Sequence, residues 1–200
     1  MCRSCELKAF SALLSRSQYP EILFSKPLFS ICYYQDPWAR LIKVFKAQVF
    51  EEALPELRIY FQSYVDWWLG GDFSELGFDA VVSVPPNPWR HYSQSNFAAF
   101  LSELIARSCS KPHLNILSQK AFSPRIFFGQ QKNRKASLRG KELSVNDFSI
   151  SKKKHREKRI LLVDDIVRSG RSMDLSRKIL EQQGYFVVAC FSFARTQNLK

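Results

Sequence analysis

The sequence predicts an α/β fold in which a mainly parallel, twisted sheet is flanked by helices. Three apolar, β-branched runs at 78–84, 159–163 and 185–194 carry this prediction, because buried parallel strands are continuously hydrophobic. Helical patterns separate these runs, and a strand–helix–strand unit of this length joins parallel neighbours. With 200 residues, the chain is long enough for one main domain with a small N-terminal lobe.

The first third of the chain predicts a hairpin followed by two helices. Phe, Ile and Tyr cluster on both sides of Ser25-Lys26-Pro27 within 22–34, which is typical of two short strands. From Trp38 to Phe50 apolar residues recur at helical spacing, and the pattern resumes over 54–69. We assign 1–34 to an N-terminal segment.

The main domain is predicted to comprise 35–200. A helix follows the first strand, with Ser93 or Ser95 available as its N-cap, and a helix from about Met173 to Gln183 follows the second. Between them, about 123–158 is too polar and basic for a core, so we expect a mobile loop.

The charge and the cysteine content of the chain indicate which ligands it attracts and which cellular compartment it suits. The chain has 30 Lys or Arg and 18 Asp or Glu, a net charge of +12. Twelve of the basic and three of the acidic residues lie between Arg125 and Arg159, so this segment carries +9 and attracts phosphates of a metabolite, a nucleic acid or a membrane surface. No apolar run reaches the ~20 residues of a membrane span, so we expect no membrane insertion. Five cysteines, mostly isolated, favour a cytoplasmic protein without a disulfide framework.

The candidate site lies directly after the second strand. Asp164 and Asp165 follow Ile160–Val163, and the turn Arg168–Ser172 then opens a helix. Ligands of open α/β sheets bind beyond the carboxyl ends of the strands, and N–H groups at a helix start bind anions. Paired carboxylates accept hydrogen bonds from a vicinal diol, so together these groups suit a ribose 5-phosphate.

This segment resembles the signature of type I phosphoribosyltransferases, in which an Asp pair is followed by a Thr-Gly-x-Thr turn. The resemblance implies a type I phosphoribosyltransferase fold and a substrate, 5-phosphoribosyl-1-pyrophosphate (PRPP), bound with Mg²⁺. It implies that Asp164 and Asp165 contact the ribose hydroxyls. The backbone of the turn would hold the 5-phosphate through Arg168, Ser169, Gly170, Arg171 and Ser172.

The wider pattern is similar to the competence-associated, amidophosphoribosyltransferase-like ComF branch of that family. Trp38–Lys46 and Phe193–Arg195 match its early helix and its final strand end. The resemblance implies a pyrophosphate loop and a flexible loop, formed respectively by Pro85, Pro86, Asn87 and Arg90, and by Gln131 and Arg139. Gln94–Ala98 and Glu142 depart from the branch's pattern, so the sequence does not decide whether the chain turns over substrate.

The N-terminal pair Cys2 and Cys5 has the spacing of half a zinc site. In ComF-like proteins a four-cysteine zinc module precedes the catalytic part, and this pair stands where its second half would be. A second pair is missing from this sequence, so Zn²⁺ binding and two free thiols both remain open.

Two functions follow from these patterns, and a PRPP-sensing regulator is a third, weaker alternative. The first is PRPP–Mg²⁺ binding with transfer of the phosphoribosyl group to a nitrogen nucleophile. The alternative is a DNA-uptake or recombination protein that binds single-stranded DNA, in which Lys152–Arg159 contacts phosphate instead of lying solvated. Trp67 and Trp68 fit core packing better than base stacking. Monomer and homodimer both remain open.

Overall fold

The computed structural model describes residues 21–23, 25–36, 38–46, 62, 65–66, 76–86, 96–120, 144–151 and 155–196. In chain order the elements are β1 (Glu21–Leu23), β2 (Lys26–Tyr33), α1 (Trp38–Lys46), β3 (Ala80–Ser83), α2 (Phe97–Ser108), β4 (Leu117–Gln119), a 3₁₀ turn (Val145–Asp147), β5 (Phe148–Ile150), β6 (Arg159–Val167), α3 (Arg171–Gln182) and β7 (Phe186–Arg195).

The main sheet has the strand order β1-β2-β7-β6-β3. β2, β7, β6 and β3 run parallel to one another, and β1 pairs antiparallel with β2 through the predicted hairpin. This sheet and its flanking helices confirm the predicted α/β fold class. The hairpin is part of the sheet, however, so the described part of the 1–34 segment belongs structurally to the main domain.

Helices cover both faces of the sheet. On one face, Phe97 and Leu101 of α2 pack with Leu161, Phe191 and Phe193 of the central strands. Met173 and Leu180 of α3 occupy the other face, over alternate residues of the same strands. Each of these fully buried side chains contributes about 1.5–3 kcal/mol of burial free energy, so the two layers fix the position of both helix starts.

Two details differ from the sequence prediction. β6 continues to Val167, four residues beyond the expected end, because Asp164 and Ile166 pair with β7. The N-cap of α2 is Asn96, whose side-chain Oδ1 accepts a hydrogen bond from the N–H of Ala99 at 3.1 Å; Ser93 and Ser95 lie outside the described residues. Of the helix predicted over 54–69, the described residues 62, 65 and 66 are helical.

The predicted basic loop contains ordered structure. β5 pairs antiparallel with β4, and Phe148 is buried against Leu175 and Ile179 of α3. The prediction of a mobile loop was therefore wrong for 144–151, because one buried aromatic anchors a three-residue strand. Most of the remaining basic segment, 121–143 and 152–154, lies outside the described residues. In the part of the chain that is described, no helix is long and apolar enough to cross a bilayer.

Candidate functional site at the carboxyl end of the sheet

The two predicted carboxylates lie on β6, close to its carboxyl end. Both are half-buried, and Asp164 stands opposite the fully buried Ser192 of β7. Each carboxylate accepts a hydrogen bond from the next backbone N–H: Asp165 N–H donates to Asp164 Oδ1 at 2.8 Å, and Ile166 N–H to Asp165 Oδ1 at 2.6 Å. These contacts limit the rotamers of both side chains and so pre-organise the pair.

The neighbouring strand β3 stops short of this pair. Its last ladder partner joins Ser83 to Val163, and the N–H of Val84 then donates to the carbonyl of Val163 at 2.7 Å. Pro85 and Pro86 follow at once, so the structure brings the start of the predicted pyrophosphate loop to the same end of the sheet. The other two predicted residues of that loop, Asn87 and Arg90, lie outside the described residues.

The turn after β6 leads straight into α3. Gly170 is its N-cap, with φ = 71°, a left-handed conformation that favours glycine. Gly170 has no side chain to cap this helix start, and Ser169 Oγ accepts a long hydrogen bond from Arg171 N–H at 3.5 Å. The carbonyl of Gly170 accepts the first helical hydrogen bond, from Asp174 N–H at 2.9 Å. The first-turn N–H groups of a helix point out of its N-terminus, where they and the helix dipole favour an anion.

An acidic residue in the first turn of α3 does not cancel this preference. The carboxylate of Asp174 pairs with Arg177 Nη2 and Lys178 Nζ, each at 2.7 Å. Burial alone would raise the pKa of Asp174, but the hydrogen bonds from Lys178 and Arg177 outweigh it and hold that pKa below its ordinary value. Since two cations offset this carboxylate, the helix start remains suited to phosphate.

Four side chains at the ends of β2, β7 and β6 adjoin the site. Tyr33 ends β2 and Tyr34 follows it, Arg195 ends β7, and Arg168 follows β6; each arginine lies over one of the tyrosine rings. No pattern in the sequence assigned a role to either tyrosine or to Arg195. The signal was weak, because about 160 residues separate the tyrosines from Arg195 in the chain.

Thiol chemistry is disfavoured at this end of the sheet. Cys190 of β7 is buried, and burial raises its pKa to about 12, so the thiolate form is suppressed near neutral pH. Cys32 is buried as well, and its Sγ donates to the carbonyl of Phe193 at 3.4 Å. Both thiols are packing residues.

The described residues contain no group of three or more His, Cys, Asp or Glu side chains that could hold a metal ion. The pair Asp164 and Asp165 offers two carboxylates, which is the usual protein share of a Mg²⁺ site completed by substrate phosphates and water. The predicted zinc ligands Cys2 and Cys5 and the flexible-loop residues Gln131 and Arg139 lie outside the described residues.

No protein-family model matches the sequence. No curated protein matches it either. Among solved structures, the chain is similar to an orotate phosphoribosyltransferase from Aeropyrum pernix, with 16% identity and a TM-score of 0.42 over 72% of this chain and 63% of that one. It therefore spans less than two thirds of the length of that enzyme.

Two adenine phosphoribosyltransferases are also similar. The enzyme from Thermoanaerobacter pseudethanolicus has 13% identity and a TM-score of 0.45, with 78% of this chain and 99% of that one covered. The enzyme from Trypanosoma brucei, solved with AMP, pyrophosphate and ribose-5-phosphate, has 10% identity and a TM-score of 0.41 over 80% and 79% of the two chains. These are similarities of fold.

Proposed function

We propose that this chain binds PRPP with Mg²⁺ through Asp164, Asp165 and the turn 168–172. One observation carries the proposal: the two carboxylates are followed, five residues after Asp165, by a left-handed glycine that starts a helix, and the described side-chain contact to the first-turn N–H groups is long, 3.5 Å from Arg171 N to Ser169 Oγ. A carboxylate pair suits hydroxyl donors, and an open helix start suits a phosphate dianion. A pentose 5-phosphate presents both kinds of group on one small molecule.

The roles of the groups follow from their chemistry. Asp164 and Asp165 would accept hydrogen bonds from the ribose hydroxyls, and charge-assisted hydrogen bonds of this kind are about twice as strong as neutral ones. The backbone N–H groups at the start of α3 would bind the 5-phosphate, with the hydroxyls of Ser169 and Ser172 as further donors. Pro85 and Pro86 would border the pyrophosphate.

Magnesium fits this arrangement as a cation that arrives with the substrate. The two carboxylates can hold it directly or through water, and the diphosphate supplies further oxygen ligands. When bound, Mg²⁺ offsets negative charge on the departing pyrophosphate. The chain's own contribution is to orient the ribose so that C1 faces an incoming nitrogen nucleophile. Assignment to the ComF-like branch belongs to this proposal, since it rests on sequence motifs alone.

The test is calorimetric titration of PRPP in the presence of Mg²⁺. The Asp164→Asn, Asp165→Asn double variant should lose at least about 100-fold in affinity, because hydrogen bonds to charged groups contribute about 1.5–3 kcal/mol each. The matched control is Asp36→Asn, which removes an exposed carboxylate that pairs with Arg40 at 3.0 Å. That control should bind as the wild type does.

Two readouts keep this result interpretable. Both half-buried carboxylates lie outside the hydrophobic clusters, so the double variant should unfold within a few degrees of the wild type. Wild-type affinity in a folded double variant would refute the proposed site. Ribose 5-phosphate serves as a second ligand: it should bind more weakly than PRPP, and its affinity should depend little on Mg²⁺.

Single-stranded DNA binding is the second candidate function, and the +9 charge of 125–159 favours it. The affinity should then fall with salt at a log–log slope of about −0.7 per phosphate contacted. Replacing Lys152, Lys153 and Lys154 with Gln should reduce the slope by up to about 2. The Asp164→Asn, Asp165→Asn variant should bind DNA unchanged or more tightly, since it removes negative charge. A wild-type protein without salt-dependent DNA binding would eliminate this candidate.

A further inference from the structure

The strand β6 separates the two groups of residues on which the candidate functions rest. Asp164 and Asp165 lie near its carboxyl end, whereas Arg159 is its first residue and the last residue of the basic stretch 152–159. The five residues of extended strand from Arg159 to Asp164 span about 17 Å. The described part of the basic stretch, 155–159, therefore leads into the amino end of the sheet, away from the proposed ribose site.

The amino end of the sheet is exposed and rich in positive charge. Arg159 begins β6, Arg156 and Lys158 closely precede it, and all three are exposed. Lys111 is also exposed and lies two residues before the bridge to β3. A hydrogen bond from the N–H of Arg159 outweighs the effect of burial and holds the pKa of Asp79 below its ordinary value, and the charges of Arg159 and Lys111 act in the same direction. Both cations therefore lie close to Asp79, which directly precedes β3.

The described contacts of two of these cations leave their charge available. The Arg159 guanidinium donates to backbone carbonyls of the segment before β3, at 3.3 Å for the contact of its Nη2. Lys158 Nζ lies 4.9 Å from the centre of the Tyr185 ring. Carbonyls and rings are neutral, so neither cation is offset by a carboxylate in these contacts. Asp79 instead accepts from the backbone N–H groups of Lys158 and Arg159, at 3.3 and 3.0 Å.

An exposed aromatic ring lies among these cations. Phe186 is the first residue of β7, stands opposite Arg159 in the sheet register, and its N–H donates to the carbonyl of Lys158 at 2.7 Å. Phe186 is 52% exposed. Lys26 Nζ lies 4.1 Å from the centre of its ring, a cation–π contact that restricts the ring. An accessible ring surrounded by cations is the combination that binds single-stranded nucleic acids, through base stacking and phosphate contacts.

We propose that this surface binds single-stranded nucleic acid, and we call it the basic–aromatic end: Lys111, Arg156, Lys158, Arg159 and Phe186. The cations contact phosphates, and a base stacks on the Phe186 ring. A paired base has no free face, so the ring favours single strands over duplex. All five side chains are exposed, so a polymer that makes several weak contacts suits them better than one nucleotide does. The proposal rests on the second candidate function above and gives it a surface.

The position of the basic–aromatic end means that the two candidate functions do not exclude each other. At physiological ionic strength the Debye length is about 8 Å, so charges about 17 Å apart are largely screened from one another. Both ligands can then occupy one protein. Saturating PRPP–Mg²⁺ should leave the affinity for single-stranded DNA unchanged, and so should Asp164→Asn with Asp165→Asn.

Matched probes test the proposal on the wild-type protein by fluorescence anisotropy. The first is a labelled oligothymidylate of about 12 nucleotides, within the usual range of single-strand site sizes. The second is a duplex of the same length. The single strand should bind about tenfold more tightly at physiological salt, which corresponds to one stacked base. Equal affinities for the two probes, or competition between the oligothymidylate and PRPP–Mg²⁺, would overturn the proposal.

Variants locate the bound strand. Phe186→Leu should weaken oligothymidylate binding by about fivefold or more, whereas Phe186→Trp, which keeps a flat ring, should retain it. Heparin, a polyanion without bases, should bind Phe186→Leu as tightly as wild type. Lys158→Gln should reduce the log–log salt slope by about 0.7, the value for one phosphate contact. Arg40→Gln is the control, since it removes an exposed arginine of α1, on the other side of the sheet's strands from these residues.

The outcomes separate this surface from the candidate function itself. Wild-type affinity for oligothymidylate in folded Phe186→Leu and Lys158→Gln proteins, with salt-dependent binding intact, would refute the basic–aromatic end alone. A wild-type protein without salt-dependent binding would refute DNA binding as a whole. PRPP titration is independent of both results, because none of the substituted residues lies in the proposed PRPP site.

Discussion

α2 and α3, which come after β3 and β6 in the described part of the chain, begin in different ways. α2 starts at Asn96, whose side chain accepts a hydrogen bond from the N–H of Ala99. α3 starts at Gly170, which has no side chain to offer, and the first turn has only a long hydrogen bond, from Arg171 N–H to Ser169 Oγ at 3.5 Å. Asn is among the most stabilising N-cap residues, and glycine gives up only a few tenths of a kcal/mol relative to it, at no steric cost in a left-handed conformation.

This difference between the two N-caps indicates which helix start is suited to a ligand. At a capped helix start, a protein side chain already accepts a hydrogen bond from one of the first-turn N–H groups. At a start without a strong cap, those N–H groups can bind an external anion instead. In this molecule the open start follows the strand that carries both carboxylates. The capped start follows β3, whose described carboxyl end is Val84-Pro85-Pro86. Ligand effects should therefore concentrate at α3, and stability effects at α2.

Among variants of the two helix starts, Gly170→Ala should have the largest effect. A side chain at φ = 71° is strained by about 1 kcal/mol or more, and relief of that strain moves the N–H groups that would bind phosphate. PRPP affinity should fall about tenfold or more, as measured by calorimetry.

The control for this variant is Gly184→Ala, at the other end of α3. Gly184 also has a left-handed conformation, with φ = 80°, and an added Cβ would meet no atom within 4 Å. It should lower the melting temperature through the same backbone strain while PRPP affinity stays unchanged. Equal loss of PRPP affinity in both variants would mean that α3 responds to general destabilisation.

Asn96→Ala should have a smaller and purely structural effect. Loss of the cap should lower the free energy of unfolding by about 1 kcal/mol, as measured in urea. PRPP affinity should not change, and Asn96→Asp should restore most of the stability because it keeps an acceptor oxygen. A loss of PRPP affinity in folded Asn96→Ala would contradict the division between the two helix starts.

The smallest expected effects are two pH dependences that belong to different sides of the sheet. Burial lowers the pKa of His113, which lies beside β3; Glu103 of α2 offsets part of that shift. In the unfolded chain histidine titrates at about 6.5. The contribution of His113 to the free energy of unfolding is therefore fully present above that pH. It is lost as the pH falls through the lower pKa of the folded protein.

For Asp174 of α3 the window is more acidic. Its folded pKa lies below the unfolded value of about 3.9, so its contribution is present above that pH and is lost as the pH falls further. Urea unfolding between pH 3 and 8 should show the decline near pH 6 disappear in His113→Phe and the decline below pH 4 diminish in Asp174→Asn. Unchanged profiles would show that neither group governs acid stability.

The sequence predicted most elements of the fold because each has a recognisable pattern within its own short stretch of residues. β3, β7 and the first half of β6 are rich in apolar residues, and Gly184 follows the end of α3 as expected. The end of β6 was misjudged because consecutive aspartates are rare in strands, and only pairing with β7 extends the strand through them. The end of β6 therefore depends on its partner strand β7 and cannot be predicted from the residues of β6 alone.

The candidate site was predictable to the same extent. Asp164, Asp165 and the turn after them are contiguous in sequence, so one motif contains them all. The contact between Tyr33 and Arg195 was missed because it forms only when β2 and β7 become neighbours, and no local pattern links the two residues. β4 and β5 were missed because three-residue strands have no detectable period; a buried Phe148 in a basic segment was the available signal.

The register of β2 against β7 also bears on how the molecule is made. Leu28 lies opposite Cys190 and Tyr33 opposite Arg195. β2 is synthesised early and can pair with β7 only after about 160 further residues have been synthesised. At 5–20 residues per second, that interval is about 8–30 s during translation. Until then, β2 would present unpaired backbone and buried residues such as Phe29 and Ile31 to its surroundings. During this period the apolar residues of β2 would be available for a chaperone to bind.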